Sequence, residues 1–250
     1  MAQLSNKVAL ITGGGRGLGR AIALAYAHAG ADVAVSSRTH GQIEEVAAAI
    51  RALGRRALAV EVDVSDPESV VKMVKTTQQE FGRIDILVNS AGIGRAEQLA
   101  VMSDQTWDEI IKINLYGTFY SCRQVVRVMI QQQAGSIINI ASVAGVKGVP
   151  GFGAYGASKS GVIALTKALA LEVARDHVRV NAIAPGYFRT DMNASVLDDP
   201  AIGPKIIQRI PLRRAGQPEE IGPLAVLLAS DDAAFITGEV YCISGGATAT

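Results

Sequence analysis

The stretch Val8-Ala9-Leu10-Ile11-Thr12-Gly13-Gly14-Gly15-Arg16-Gly17-Leu18-Gly19, running into an alanine- and leucine-rich segment that ends at Gly30, decides the fold. Four consecutive apolar residues suit a strand covered on both faces, because a half-exposed strand would alternate. The glycines that follow let the chain turn sharply and let an anion approach its amides. The helix opening at Gly17 adds the partial positive charge of its N-terminus. A lone glycine-rich loop is a weak signal, but a strand directly before it and a helix directly after it make this one a candidate pyrophosphate cradle.

Working outward, apolar runs of strand length recur at 33–35, 57–60, 84–88, 136–140, 178–183 and 240–243. Helix signals lie between them. The segment 17–29 closes at Gly30, and Asp66-Pro67-Glu68 supplies a cap, a proline at the first position and an acidic first turn. Further helices are expected over about 106–133, 154–175 and 218–229. Seven strands alternating with helices predict an α/β fold: a doubly wound, seven-stranded parallel sheet of the Rossmann type, in a single domain spanning 1–250. The stretch 186–217, with Pro200, Pro204 and Pro211, breaks the rhythm and is expected to be a loop-and-helix insertion that lids the substrate.

Composition narrows the function classes. With 49% hydrophobic and 19% charged residues, the 250-residue chain can bury a large core. Lys+Arg at 24 against Asp+Glu at 23 leaves a formal charge of +1, and aromatics make up only 5%, so neither nucleic acid nor an anionic membrane is an expected partner. Cys122 and Cys242 are too few for a disulfide framework or a cysteine zinc site, and both are expected to be reduced and buried. His28, His40 and His177 lack metal-ligand spacing, so no metal is expected. Trp107 is expected to pack where its helix starts, and Asp104 and Asp108 are read as first-turn charges. No window approaches ~20 uninterrupted apolar residues, and the expectation is a cytoplasmic protein.

Tyr155 and Lys159 stand four residues apart at a helix start, hence on one face and ~6 Å apart along the axis. A phenol with an ordinary pKa of ~10 is a poor acid–base catalyst at neutral pH, and a nearby ammonium stabilises its phenolate. Ser142 lies thirteen residues upstream of Tyr155, at the C-terminal end of a strand, where doubly wound folds place their ligands.

The spacing Gly13-x-x-x-Gly17-x-Gly19 resembles that of the short-chain dehydrogenase/reductase family, and the landmarks of that family follow in order along almost the whole chain. They are Asp63-Val64, Asn89-Ser90-Ala91-Gly92, Asn114, Ser142, Tyr155-Gly156-Ala157-Ser158-Lys159 and Pro185-Gly186. Two departures are visible: Ser90 replaces the second asparagine of the usual Asn-Asn-Ala-Gly, and Ser244 replaces an acidic residue before the terminal Gly245-Gly246. The resemblance implies a catalytic set of Asn114, Ser142, Tyr155 and Lys159. Tyr155 would protonate a carbonyl oxygen that Ser142 holds, while the nicotinamide gives hydride to the carbon. Lys159 would bind the nicotinamide ribose, and Asn114 would hold a water linking Lys159 to solvent. The implied cofactor site comprises Gly13, Arg16, Gly17, Leu18, Gly19, Ser37, Arg38, Asp63, Val64, Asn89, Ala91, Gly92, Tyr155, Lys159, Pro185, Gly186 and Thr190.

Cofactor choice turns on the end of the second strand, where an acidic side chain would accept bonds from the adenosine ribose hydroxyls of NAD(H). The chain has Ser36-Ser37-Arg38 there, and Asp32 lies at the wrong end. Arg38, with Arg16 from the other side, suits a 2′-phosphate, so NADP(H) is expected, with NAD(H) the alternative. Residues 143–152 and 187–190 are expected to shape the substrate pocket. Gly148, Gly151 and Gly153 suggest a roomy or mobile wall, and Phe152, Tyr187 and Phe188 an apolar one.

Within the family the chain is most similar to the gluconate 5-dehydrogenase and 3-oxoacyl-carrier-protein reductase branches. The run Ala184-Pro185-Gly186-Tyr187-Phe188 favours a keto sugar acid or similar small ketone, and the glutamine-rich run 128–135 argues against a basic carrier-protein dock, leaving a 3-oxoacyl thioester as the alternative. An NADP(H) sensor without chemistry would carry a damaged tetrad, and a sugar-nucleotide epimerase a larger C-terminal region. The resemblance also implies a homotetramer built on helices near 106–133 and 154–175. Val125, Val128, Val162 and Leu169 could serve that interface or face their own sheet.

Overall fold

Strand β1 (Val8–Thr12), helix α1 (Gly17–His28) and strand β2 (Asp32–Ser37) form in the order the opening stretch predicts. They belong to a computed structural model that describes residues 3–249. Helix α2 (His40–Ala52), β3 (Ala57–Glu61), α3 (Pro67–Phe81) and β4 (Ile86–Asn89) complete the first half. Helix α4 (Asp104–Ile111), a π-helical segment at Lys112–Tyr116 and α5 (Gly117–Gln132) lead to β5 (Gly135–Ile140), α6 (Gly153–Val173) and β6 (Val178–Pro185). Two short helices, α7 (Ala194–Leu197) and α8 (Gly203–Gln208), precede α9 (Gly222–Ala229) and β7 (Val240–Ile243).

All seven strands are parallel, in the order β3-β2-β1-β4-β5-β6-β7. The chain steps outward from β1 to β3 and returns on the other side of β1 at β4. The loops after β1 and β4 therefore leave the sheet in opposite directions and open a crevice at their carboxyl ends.

The continuous apolar runs divide between two layers. Leu10, Leu87 and Ile137 meet Val70 and Met73 of α3, Val125 and Met129 of α5 and Val173 of α6. Ala9, Ile11, Ile86, Val88 and Ile138 meet Ile22 of α1, Ile43 of α2 and Leu228 of α9. Since neighbouring strand residues point to opposite faces and both faces are covered, no residue of the central strands β1, β4 and β5 is exposed. Helix α3 starts as its sequence signal predicts, with the Asp66 carboxylate accepting from the Glu68 amide at 2.9 Å and Pro67 at the first position.

Several expectations are corrected. Helix α2 lacks both a side-chain cap at Thr39 and an acidic first turn, so no start signal marked it. The helix expected over 106–133 is broken by the π segment. Cys122 is buried but Cys242, on the edge strand β7, is exposed. Trp107 stays 38% exposed rather than packing in. Of the residues whose facing was left open, Val125, Val128 and Val162 are buried within the subunit and Leu169 is half-buried. Gly153 is not part of a roomy wall, because a Cβ there would lie 2.7 Å from the Leu99 side chain. Among the described residues no helix is long and apolar enough to cross a membrane.

Candidate active site

The loop after β1 closes tightly on the loop after β4. Gly13 has φ +66°, and a Cβ on it would lie 2.7 Å from the Ala91 amide nitrogen; a Cβ on Gly19 would lie 2.2 Å from the Gly13 carbonyl oxygen. Only glycine fits either place. Thr12 Oγ1 accepts from the amides of Ser90 (3.2 Å) and Ala91 (3.3 Å), fixing the second loop to the end of β1. Helix α1 has Arg16 at its N-cap with no side-chain cap bond and no acid in its first turn, which leaves its first amides suited to an anion.

A cleft of about 250 Å³ runs along these loops. Gly13, Arg16, Gly17, Ser37, Arg38, Asp63, Val64, Ala91, Gly92 and Thr190 line it. A second space of about 130 Å³, bounded by Leu18, Ser142, Tyr155, Lys159, Pro185 and Gly186, adjoins it, and both share Ser90, Gly92, Thr190 and Met192. Two of the expected cofactor residues line neither space. Gly19 is buried beneath the first loop, and the Asn89 amide lies inside the sheet, donating to Asn139 Oδ1 (2.8 Å) and Cys122 Sγ (3.2 Å) as a brace between β4, β5 and α5. At the opposite end of β2 the Asp32 carboxylate is paired with Arg55 at 2.7 Å. Gln42, Ile93 and Met192 line the cleft without having been singled out, and no signal in the sequence pointed to them.

Ser142 follows β5 and accepts from the Ala144 amide at 3.1 Å, so its own hydroxyl hydrogen is left to donate. The short turn 143–145 then lies directly on α6. A Cβ on Gly145 would come 2.7 Å from the Lys159 backbone, and one on Gly156 2.8 Å from the Ala144 carbonyl oxygen. That contact holds Ser142 beside Tyr155 in the first turn of α6. One turn later the Lys159 ammonium donates to the Ile140 carbonyl at 2.7 Å and lies 5.8 Å from the centre of the Tyr155 ring. Asn114, fully buried in the π segment, stands behind Gly92: a Cβ there would lie 3.2 Å from Asn114 Oδ1 and 3.4 Å from Lys159 Nζ.

Burial governs the electrostatics. It pushes the Tyr155 phenol above its ordinary value, opposed by a hydrogen bond with Ser142, and it brings the Lys159 ammonium down to about 8. The ammonium is thus the readier of the two to release a proton, and the phenol lies above its ordinary value rather than lowered as its lysine neighbour led one to expect. At the far end of the cleft, partial burial of Asp63 is overcome by bonds from Ser65 and by the charges of Arg38 and Lys112, which together hold its carboxyl below the usual range.

The wall beside Tyr155 is apolar. Phe152 meets its ring edge-on at 6.0 Å, and a Cβ on Gly94 would touch both the Met192 sulfur (3.5 Å) and the Tyr155 ring (3.6 Å). Met192 belongs to the excursion between β6 and α9, whose neck is closed by bonds between Arg189 and Gly216 (2.8 Å) and between Gly216 and Tyr187 (2.9 Å). Phe188 borders the space at Tyr155, whereas Tyr187 does not. Arg95 pairs with Glu109 (2.7 Å), Arg189 with Asp198 (2.6 Å), and Lys147 donates to the Ala247 carbonyl.

A family profile described as enoyl-(acyl carrier protein) reductase matches residues 13–248. A 3-oxoacyl-[acyl-carrier-protein] reductase of Synechocystis sp. is 44% identical over 248 residues, covering 98% of each chain. Among solved structures, a short-chain type dehydrogenase/reductase from Mycobacterium marinum superposes with a TM-score of 0.94 at 38% identity, covering 99% of this chain and 98% of that one. A gluconate 5-dehydrogenase from Burkholderia cenocepacia J2315, solved in complex with NADP and tartrate, superposes with a TM-score of 0.95 at 35% identity, covering 99% and 97%.

Proposed function

Because the chain belongs to the short-chain dehydrogenase/reductase family, and is therefore an oxidoreductase of hydroxyl and carbonyl groups that uses a nicotinamide cofactor, we propose that it is an NADPH-dependent carbonyl reductase with Tyr155 as its general acid. The observation that carries this reading is the meeting of Ser142, Tyr155 and Lys159 at one end of a cleft that begins at the glycine loop. The close-packed glycines, the uncapped start of α1 and two adjoining spaces that reach from Arg38 to Tyr155 fit a dinucleotide. When bound, the nicotinamide supplies the hydride.

The chain's own residues do the rest. Ser142 donates to the carbonyl oxygen and holds it. Tyr155 releases its proton to that same oxygen. Lys159 holds the ribose hydroxyls and, as the readier proton donor, restores the phenol. Asn114 stands on the path that resupplies Lys159, and the excursion 186–217 covers the substrate.

Arg38 and Arg16 select NADPH in this reading. Both are exposed along the cleft and, among the described residues, neither forms an ion pair that would divert it from a 2′-phosphate. Arg38→Asp exchanges an attraction for a repulsion, and the ratio of NADPH to NADH kcat/KM is expected to fall on the order of 100-fold. An unchanged ratio would refute the assignment.

For the substrate, the apolar wall of Phe152, Met192 and Phe188 favours an uncharged carbonyl flanked by an aliphatic chain, and a 3-oxoacyl thioester suits it well. The keto sugar acid favoured by the 184–188 run is the second reading, supported by the gluconate 5-dehydrogenase likeness. NADPH consumption against 3-oxoacyl thioesters, aliphatic ketones and keto sugar acids separates the two. Higher kcat/KM for the sugar acids would overturn the aliphatic preference.

A further inference from the structure

We propose that Gly94 is a specificity-determining residue: by carrying no side chain it keeps open the gap between Met192 and the Tyr155 ring, through which the larger substituent of the substrate carbonyl is admitted. The proposal rests on the catalytic reading above and adds to it the residue that sets how long a chain is accepted.

Four glycines around the site are required where they stand, because a Cβ would meet main-chain atoms at 2.7 Å on Gly13, 2.2 Å on Gly19, 2.7 Å on Gly145 and 2.8 Å on Gly156. Gly94 is different. Its φ lies outside the left-handed region, and a Cβ on it would stand 3.5 Å from the Met192 sulfur and 3.6 Å from two carbons of the Tyr155 ring, which is ordinary contact. Neither backbone conformation nor packing demands glycine at this position. What the missing side chain leaves is room against the methionine and the catalytic ring at once.

The flanks of the gap are fixed, so an added side chain is not relieved by retreat of the backbone. One residue earlier, Ile93 donates its amide to Asn114 Oδ1 at 2.8 Å and accepts through its carbonyl from Asn114 Nδ2 at 2.9 Å. That buried Asn114 amide also donates to Ser158 Oγ at 3.0 Å. Three residues later the Glu97 amide donates to the Gly151 carbonyl at 2.7 Å. On the excursion, the amide and the hydroxyl of Thr190 both donate to Asn193 Oδ1, at 3.2 and 3.1 Å, and close a turn around Met192.

The other sides of the Tyr155 ring are taken. Phe152 meets it edge-on at 6.0 Å, the Lys159 ammonium lies 5.8 Å from its centre, and the 143–145 turn packs on α6 behind Ser142. On the side of Gly94, the glycine and the tyrosine are half-buried and Met192 is 54% exposed, so the gap reaches solvent there. An unbranched, polarizable thioether suits an aliphatic chain lying against it.

Gly94→Val tests this, with NADPH and the acetoacetyl and 3-oxooctanoyl thioesters of N-acetylcysteamine as substrates. The ratio of long-chain to short-chain kcat/KM is expected to fall about tenfold or more, the order that one surplus methylene costs in an apolar site. Gly94→Ala should lower the ratio by less. Met192→Ala in the Gly94→Val background is expected to recover most of it, because room lost on one flank of the gap is returned on the other. The Kd for NADPH should change by less than about twofold, since Gly94 does not line the cleft. An unchanged ratio in Gly94→Val, an equal loss for both thioesters, a ratio left unrecovered by Met192→Ala, or a parallel loss of NADPH affinity would each overturn the proposal. Should Gly94→Val not fold, Gly94→Ala, whose added carbon makes ordinary contacts only, is read by the same criteria. A parent that reduces neither thioester overturns the proposal together with the aliphatic substrate. Turnover surviving in Tyr155→Phe would instead count against the catalytic reading itself, so the failures are distinguishable.

Discussion

Replacing Tyr155 with phenylalanine is expected to lower kcat for carbonyl reduction by roughly 10³-fold while leaving the NADPH Kd within a few-fold of the parent, as loss of a positioned general acid implies. Only the hydroxyl is removed. The edge-on contact with Phe152 at 6.0 Å remains available to a phenyl ring, and the turn that packs Gly145 on α6 is untouched. Ser142 can still hold the substrate oxygen but has its Ala144 bond and no acid of its own to offer, so the proton would have to come from solvent. Single-turnover NADPH oxidation and fluorescence titration of NADPH measure the two quantities. A variant within tenfold of the parent would end the assignment of Tyr155 as the acid.

Lys159→Met is expected to move activity and stability in opposite directions. Turnover should fall by roughly 10²-fold or more, because the phenol loses its proton supply and the cofactor ribose a ligand. Stability should rise at neutral pH. The folded-state value of Lys159, about 8, lies below its ordinary 10.5. Below pH 8 the amine is charged in both states, and the folded state bears the full burden of desolvating it, about 3 kcal/mol. Between pH 8 and 10.5 that burden fades, and above 10.5 the amine is neutral in both states. The methionine variant should thus exceed the parent most at pH 7, by that amount less about 1 kcal/mol for the lost bond to Ile140, and the gap should close as pH rises through this window. Denaturant titrations of both proteins at pH 7 and pH 10 measure it, and a gap independent of pH would contradict the burial argument.

The sheet was legible because a strand covered on both faces must be apolar throughout, and runs such as 8–11 and 178–183 can hardly be anything else in a chain with so many helix signals between them. Helix α3 was legible for a local reason, the cap at Asp66 followed by Pro67. Helix α2 was not, because its stability comes from Ile43, Val46 and Ile50 packing on the sheet rather than from its ends. Nor could Cys242 be placed, since whether a short apolar strand lies at an edge depends on strand order.

The candidate site divides in the same way. Its glycine spacing and its Tyr155–Lys159 pair are local patterns, visible in a few consecutive residues. Met192, Ile93 and the Ser158–Asn114 bond arise where loops and helices far apart in sequence converge, and no single window contains both partners. The inward face of Val125, Val128 and Val162 was ambiguous because an apolar stripe looks alike whether its cover is the same subunit or another.

The five residues Lys112–Tyr116 put one more residue into a turn than an α-helix would, so the helical stretches on either side are out of phase by about 100°. Trp107 and Phe119 thus cannot be assigned to faces by counting from a common origin. The same slip aims Asn114 at Ile93 and Ser158. A related chain one residue shorter at this point would keep an unbroken helix and swing its asparagine away from both partners, so alignment gaps here bear on chemistry more than changes of side chain do.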